Sequence, residues 1–179
     1  VQADEYADLN ARIDQIADHI EPNIDLKRLI DLAQPLNVSD ISAVQKPGML
    51  PPLGQHIAIA KDAAFTFIYP HVLSDWQDQG AEISFFSPLN DEVPHPDADA
   101  IYLPGGYPEL HLEQLATANR FKMSMREAAS NNIRIFGECG GFMVLGKEII
   151  GKDNNSEAML NLLPITTSFY NPKIHLGYR

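Results

Sequence analysis

Residues 133–145 constrain this chain more than any other stretch. Ile133-Arg134-Ile135-Phe136 is a short apolar run that reads as a buried strand, and Phe142-Met143-Val144-Leu145 reads as the start of an apolar helix. Only Gly137-Glu138-Cys139-Gly140-Gly141 joins them. A strand that turns into a helix through G-x-Cys-x-G has the pattern of a nucleophile elbow, in which a sharp turn lifts one side chain above the carboxyl edge of a sheet. Gly137 and Gly141 are expected to let the strand and helix backbones approach, and Gly140 to leave room for a substrate beside the sulfur. The partial positive charge at a helix N-terminus favours the thiolate. Cys139 is the only cysteine in the chain. Lone cysteines are commonly buried and structural. The glycines on both sides favour the nucleophile.

A second stretch has the same logic. Ala100-Ile101-Tyr102-Leu103 is a short apolar strand that runs into Pro104-Gly105-Gly106-Tyr107-Pro108-Glu109-Leu110-His111. Pro104 and Pro108 lack a backbone donor, and Gly105-Gly106 permits positive φ, so no helix follows directly. A Gly-Gly turn at the carboxyl end of a strand can aim free N–H groups at a developing oxyanion. It can equally be an ordinary loop between strand and helix. Beside a cysteine elbow one strand later, it becomes a candidate oxyanion hole.

Around these motifs the chain divides near Gly48-Met49-Leu50-Pro51-Pro52-Leu53-Gly54. Before it, Leu9, Ile13, Ile16 and Ile20 recur at helical spacing within residues 6–20, and Leu26, Leu29, Ile30 and Ala33 repeat the pattern. Pro22 and Pro35 bound the two helices. Residues 1–54 are therefore expected to be a helical segment that joins or packs on a neighbouring domain. Residues 55–179 change to alternation: strands at 57–60, 82–87, 100–103 and 133–136, with helices at 70–79, 112–118 and 120–131. Such alternation predicts an α/β fold, an open and mostly parallel sheet with helices on both faces. Thr166–Tyr170 and Lys173–Tyr178 read as later, antiparallel strands. In open parallel sheets ligands gather at the carboxyl ends of the strands, where Cys139, Gly105-Gly106 and Lys61-Asp62 all fall. Lys61-Asp62 either holds the zwitterionic end of an amino acid or is a solvated loop pair. Glu138 either touches substrate or is structural.

Composition narrows the partners. The net charge is −11, and Lys27-Arg28 is the only adjacent basic pair, a poor surface for nucleic acid. No run approaches 18 apolar residues and no charged-then-apolar leader opens the chain, so neither membrane insertion nor export is expected. A single cysteine forbids an internal disulfide and suits a reducing, cytoplasmic setting. No GxxxxGK[ST] loop and no HxH, HExxH or CxxC pair occurs.

PGGYPELH followed by ECGGFMVLG resembles the glutaminase domain of the cobyrinic acid a,c-diamide synthases, which are triad (class I) glutamine amidotransferases of the cobalamin pathway. Ala58-Ile59-Ala60-Lys61-Asp62-Ala63-Ala64-Phe65, Phe85-Phe86-Ser87-Pro88-Leu89 and His175-Leu176-Gly177-Tyr178-Arg179 agree with it. The resemblance implies a flavodoxin-like fold with Cys139 as nucleophile and Gly105, Gly106 and Gly140 around the substrate. It implies glutamine as nitrogen donor and a corrinoid or other tetrapyrrole as acceptor. ATP and Mg2+ would belong to a synthetase domain preceding Val1-Gln2-Ala3-Asp4-Glu5. The family's base lies in a Gly-His-Glu-Phe-type segment, expected beyond Arg179. None of His19, His56, His71, His95, His111 and His175 has that context, so on this reading the chain is cut at both ends. Two other readings share the elbow: a noncatalytic amidotransferase-like binding domain and a cysteine hydrolase of dienelactone-hydrolase type.

Overall fold

A computed structural model describes residues 8–34 and 50–172. The chain falls into two compact units, Val1–Gly48 and Met49–Arg179. In the first, helix α1 (Leu9–Ile20) begins where the Asp8 carboxylate accepts from the Ala11 N–H at 3.0 Å. Helix α2 (Leu26–Leu32) begins where Asp25 accepts from the Arg28 N–H at 2.9 Å. An aspartate at this position satisfies one of the orphan donors of the first turn and puts negative charge at the positive end of the helix. Pro22 lies in the 3-10 turn Glu21–Asn23 between the helices. Tyr6 and Pro35, expected at the outer helix ends, lie outside the described residues.

The second unit is built on four parallel strands in the order β2-β1-β3-β4. They are β1 (His56–Ala60), β2 (Glu82–Phe86), β3 (Ala100–Leu103) and β4 (Arg134–Gly137). This is the flavodoxin-like arrangement. Helix α3 (Pro70–Asp78) joins β1 to β2, and α4 (Leu112–Thr117) and α5 (Asn119–Ser130) join β3 to β4. Gly80, at φ 93°, ends α3 as the sequence predicts. Strands β1 and β3 lie inside the sheet and are buried along their whole length, which is why both are unbroken apolar runs. Alternation splits them between two cores. Ile57, Ile59, Ala100 and Tyr102 pack with Trp76 of α3. Ala58, Ala60, Ile101 and Leu103 pack with Leu115, Phe121 and Met125 of α4 and α5 and with Val144 and Leu145 of α6 (Gly140–Leu145).

Two expectations about strands need correction. The run 133–136 is not a buried strand. Within the described residues β4 is an edge strand, and Phe136 stays 45% exposed with Arg134 also outside. The late strands are not simply antiparallel either. A second, three-stranded sheet has the order β6-β5-β7, with β5 (Glu148–Ile150) antiparallel to β6 (Ser156–Ala158) but parallel to β7 (Thr166–Ser168). Three-residue strands are too short for alternation to register in sequence, so β5 and β6 escape it altogether. Residues 173–178, the other expected late strand, lie outside the described residues.

Candidate active site

Cys139 sits two residues beyond the end of β4, with its main chain at φ 46° and ψ −112°, and α6 starts at the next residue. An L-residue held at positive φ stores on the order of 1–3 kcal/mol of strain and persists only where its surroundings impose it. Here they do. The Glu138 N–H donates to the Leu103 carbonyl at 3.1 Å, and the Gly141 N–H donates to the carbonyls of Pro104 at 3.1 Å and Glu138 at 2.8 Å. The turn is thus stitched to the end of β3 on both sides of the cysteine. Cys139 is exposed, which removes the buried structural alternative.

The glycines explain how closely the parts meet. A Cβ added to Gly141 would lie 1.9 Å from the Leu103 carbonyl oxygen, and one on Gly137 would lie 2.8 Å from Leu145 Cδ1. Those two glycines allow the close approach that the sequence predicts. The reasons for the other three are different from those expected. Among the described residues only Gly80 is a glycine at positive φ, so Gly105-Gly106 does not use that freedom. A Cβ on Gly106 would come within 2.1 Å of the Ala64 carbonyl oxygen, and one on Gly105 would lie 3.2 Å from Cys139 Cβ. Gly140 packs closely against the same loop. Its Cβ would meet Pro108 Cδ at 2.7 Å and the amide nitrogen of Gly106 at 3.1 Å. Gly105 and Gly140 let the 104–108 loop lie directly against the elbow, and Gly106 lets it lie against Ala64 and Phe65. Cys139, Gly105, Gly106 and Gly140 are brought together.

Asp62 is not a solvated loop residue, whereas Lys61 is exposed. Asp62 accepts from the Ala64 N–H at 2.9 Å through one oxygen, and from the Ser87 hydroxyl and the Leu89 N–H, both at 2.9 Å, through the other. That carboxylate laces the loop after β1 to the loop after β2. Lys61 Nζ lies 4.9 Å from the centre of the Phe85 ring. Glu138 also has a defined partner: the Tyr102 hydroxyl donates to its Oε1 at 2.6 Å. Burial first, and then the bond to and charge of Glu138, push the Tyr102 phenol above its ordinary range, so it remains a donor. Sequence reasoning missed this pair and missed Phe67, whose N–H donates to the Gly105 carbonyl at 3.0 Å and whose ring meets Tyr107 edge-on at 5.2 Å. Only the position of Tyr102, two residues before the PGG turn, could have signalled it.

The histidines are scattered. His56 and His95 lie together at the amino ends of the strands, with rings 4.6 Å apart and His56 Nε2 2.9 Å from Ser84 Oγ. His71 lies against Tyr69 at the start of α3, His111 precedes α4, and His19 belongs to the first unit. Among the described residues none of the contacts found for these rings reaches Cys139. His175 lies outside them. Two buried polar atoms on neighbouring loops, Glu109 Oε2 and Thr66 Oγ1, have no hydrogen-bond partner among the described residues. No group of three or more His, Cys, Asp or Glu that could hold a metal ion occurs among the described residues, and no described helix is long and apolar enough to cross a membrane.

An exposed cysteine on a strained strand–helix turn, at the carboxyl edge of a parallel sheet and against a glycine loop, has the geometry of a nucleophile elbow on an α/β fold. Residues 56–178 match the model of the CobB/CobQ-like glutamine amidotransferase domain, and the chain belongs to that family. Over 179 residues, 100% of this chain, it is 51% identical to hydrogenobyrinate a,c-diamide synthase of Rhizobium meliloti (strain 1021), covering 41% of that protein. The enzyme of the same name from Brucella abortus biovar 1 is 50% identical over 179 residues, again with 41% covered. That from Mesorhizobium japonicum is 49% identical over 179 residues, with 40% covered. The chain therefore spans about two fifths of the length of the relatives it matches.

Proposed function

We propose that this chain is the glutamine-hydrolysing part of an ATP-dependent hydrogenobyrinic or cobyrinic acid a,c-diamide synthase. The observation that carries this reading is the strained, exposed Cys139 set against the Gly105-Gly106 loop, in a chain of the glutamine amidotransferase domain family. A noncatalytic domain would have no use for strain at that one residue. The dienelactone-hydrolase-type reading shares only the elbow, whereas the family match runs over residues 56–178.

On this reading the Cys139 thiolate attacks the side-chain carbonyl carbon of glutamine. The carbonyl π pair moves onto oxygen, and the tetrahedral oxyanion is received by the N–H groups of Gly106 and Gly140. Gly140 opens α6, so its N–H has no acceptor within the helix. The oxyanion collapses, the C–N bond breaks, and nitrogen leaves as ammonia with a proton delivered by the base. Water then cleaves the γ-glutamyl thioester, giving glutamate and the free thiol. The base is assigned to a histidine in the Gly-His-Glu-Phe-type segment expected beyond Arg179.

Ammonia would serve carboxylates a and c of the tetrapyrrole, activated by ATP and Mg2+ in the part of the relatives outside this match. Among the described residues there is no group of three or more His, Cys, Asp or Glu that could hold a metal ion. A reducing cytoplasm suits the free thiol. Cys139→Ala in the full-length enzyme tests the proposal. Glutamine-dependent amidation should be lost while ammonia-dependent amidation is largely retained, because the thiol only supplies nitrogen. Continued use of glutamine by that variant would overturn it.

A further inference from the structure

The bond between Tyr102 and Glu138 crosses from β3 to the elbow, one residue before the nucleophile. Its geometry is tight, at 2.6 Å, and its donor is 4% exposed. Tyr102 belongs to the layer under α3, where its ring lies 6.0 Å from Trp76 and 5.6 Å from Phe136. Cys139 Cβ, by contrast, faces Gly105. The hydroxyl therefore ties the Glu138 carboxylate to the α3 layer, although the two residues are adjacent in the chain. Left untied, an exposed-turn carboxylate one residue from a thiol can rotate toward it, and a nearby negative charge disfavours a thiolate.

We propose that Tyr102 is a positioning residue for the nucleophile: its hydroxyl holds the Glu138 carboxylate against β3 and so keeps that charge away from the Cys139 sulfur. This rests on the reading of Cys139 as the nucleophile. Among the described residues, the titratable and charged groups on the elements packed around the elbow include Tyr102, Tyr107, Glu109 and His111 on β3 and its following loop, Arg134 and Glu138 on β4 and its turn, Lys61, Asp62 and Tyr69 on the segment after β1, and Lys147 and Glu148 between α6 and the end of β5. The Tyr102–Glu138 bond fixes the height of the turn, because Glu138 also donates its N–H to Leu103, the neighbour of Tyr102. Side chain and main chain thus anchor one residue to consecutive positions of β3.

Cys139 is the only thiol, so its alkylation by iodoacetamide can be followed on the whole chain without any enzyme assay. Tyr102→Phe should slow alkylation at pH 7 by about three- to tenfold and leave the rate at pH 10 within twofold of wild type, the signature of a lost thiolate fraction rather than lost access. Glu138→Gln should be no slower than wild type at pH 7, since the amide oxygen still accepts from Tyr102 and carries no charge. The double variant Tyr102→Phe/Glu138→Gln should recover the pH 7 rate of Glu138→Gln. A purely structural role for the bond predicts no such recovery. The proposal is overturned if Tyr102→Phe alkylates at pH 7 within twofold of wild type, if it slows equally at both pH values, or if the double variant stays as slow as Tyr102→Phe. Iodoacetamide reports only the thiol, so failure here would leave the glutamine reading standing, and failure of glutamine use in the full enzyme would leave this result standing.

Discussion

At the scale of single residues, Cys139 is held in a conformation its own side chain resists. Its φ of 46° is one that glycine adopts without penalty, and the neighbouring hydrogen bonds to Leu103 and Pro104 supply the restraint. Cys139→Gly should therefore fold to a more stable protein than Cys139→Ala. Relief of strain on the order of 1–3 kcal/mol outweighs the roughly 0.5–1 kcal/mol that the extra freedom of glycine costs in the unfolded chain. Urea unfolding of the two variants, both inactive as nucleophiles, measures the difference; a glycine variant less stable than the alanine variant would contradict it. The identity of this residue was legible in sequence because glycines bracket it. Its strain was not, since no residue type announces its own φ. Glu138 and Asp62 show the same limit. Each was seen to lie at the right edge of the sheet, but which donor a carboxylate finds depends on residues 20 to 40 positions away, as in Tyr102–Glu138 and Asp62–Ser87.

At the scale of elements, the sequence resolves what is buried on both faces and loses what is short or lies at an edge. Strands β1 and β3 are unbroken apolar runs and were placed within a residue, as was α3 with its terminal Gly80. Strand β4 carries Ile135 and Phe136 beside Arg134 but has one sheet neighbour among the described residues, so its apolar side chains did not imply burial. In the second sheet, of three-residue strands, β7 falls within the run 166–170 that reads as a strand, whereas β5 and β6 gave no period to read. The joint between α6 and β3 depends on a single missing methyl group. Gly141→Ala would set a Cβ 1.9 Å from the Leu103 carbonyl, a backbone atom that cannot swing away. The variant should lose at least about 2 kcal/mol of stability, read as a lower denaturation midpoint at unchanged m-value. An alanine variant as stable as wild type would mean that α6 is free to ride away from the sheet.

At the scale of the whole molecule, a working glutaminase site needs more than the described residues bring to Cys139. The cysteine, the elbow and the facing glycine loop are in place, but none of the contacts found for the described histidine rings reaches the cysteine. A nucleophile and its base act as a unit, and loss of one member costs several orders of magnitude in rate. The 179-residue chain should accordingly hydrolyse glutamine at least about a hundredfold more slowly than a chain extended through the expected downstream histidine segment. Equal rates for the two, combined with an inactive His175→Ala variant, would place the base on His175 instead.

The lacing of two loops by Asp62 also bears on how sequences of this kind can diverge. One carboxylate reads the spacing of the turn after β1 and of the turn after β2 at once. An insertion in either turn would strip donors from both, so length changes there must arise together or not at all. The Gly151–Asn155 turn between β5 and β6 bears no such link and closes on itself through the Gly151 N–H and the Asn155 carbonyl. Insertions and deletions should collect in that hairpin, while the rim that carries the cysteine keeps its length even as its residues drift.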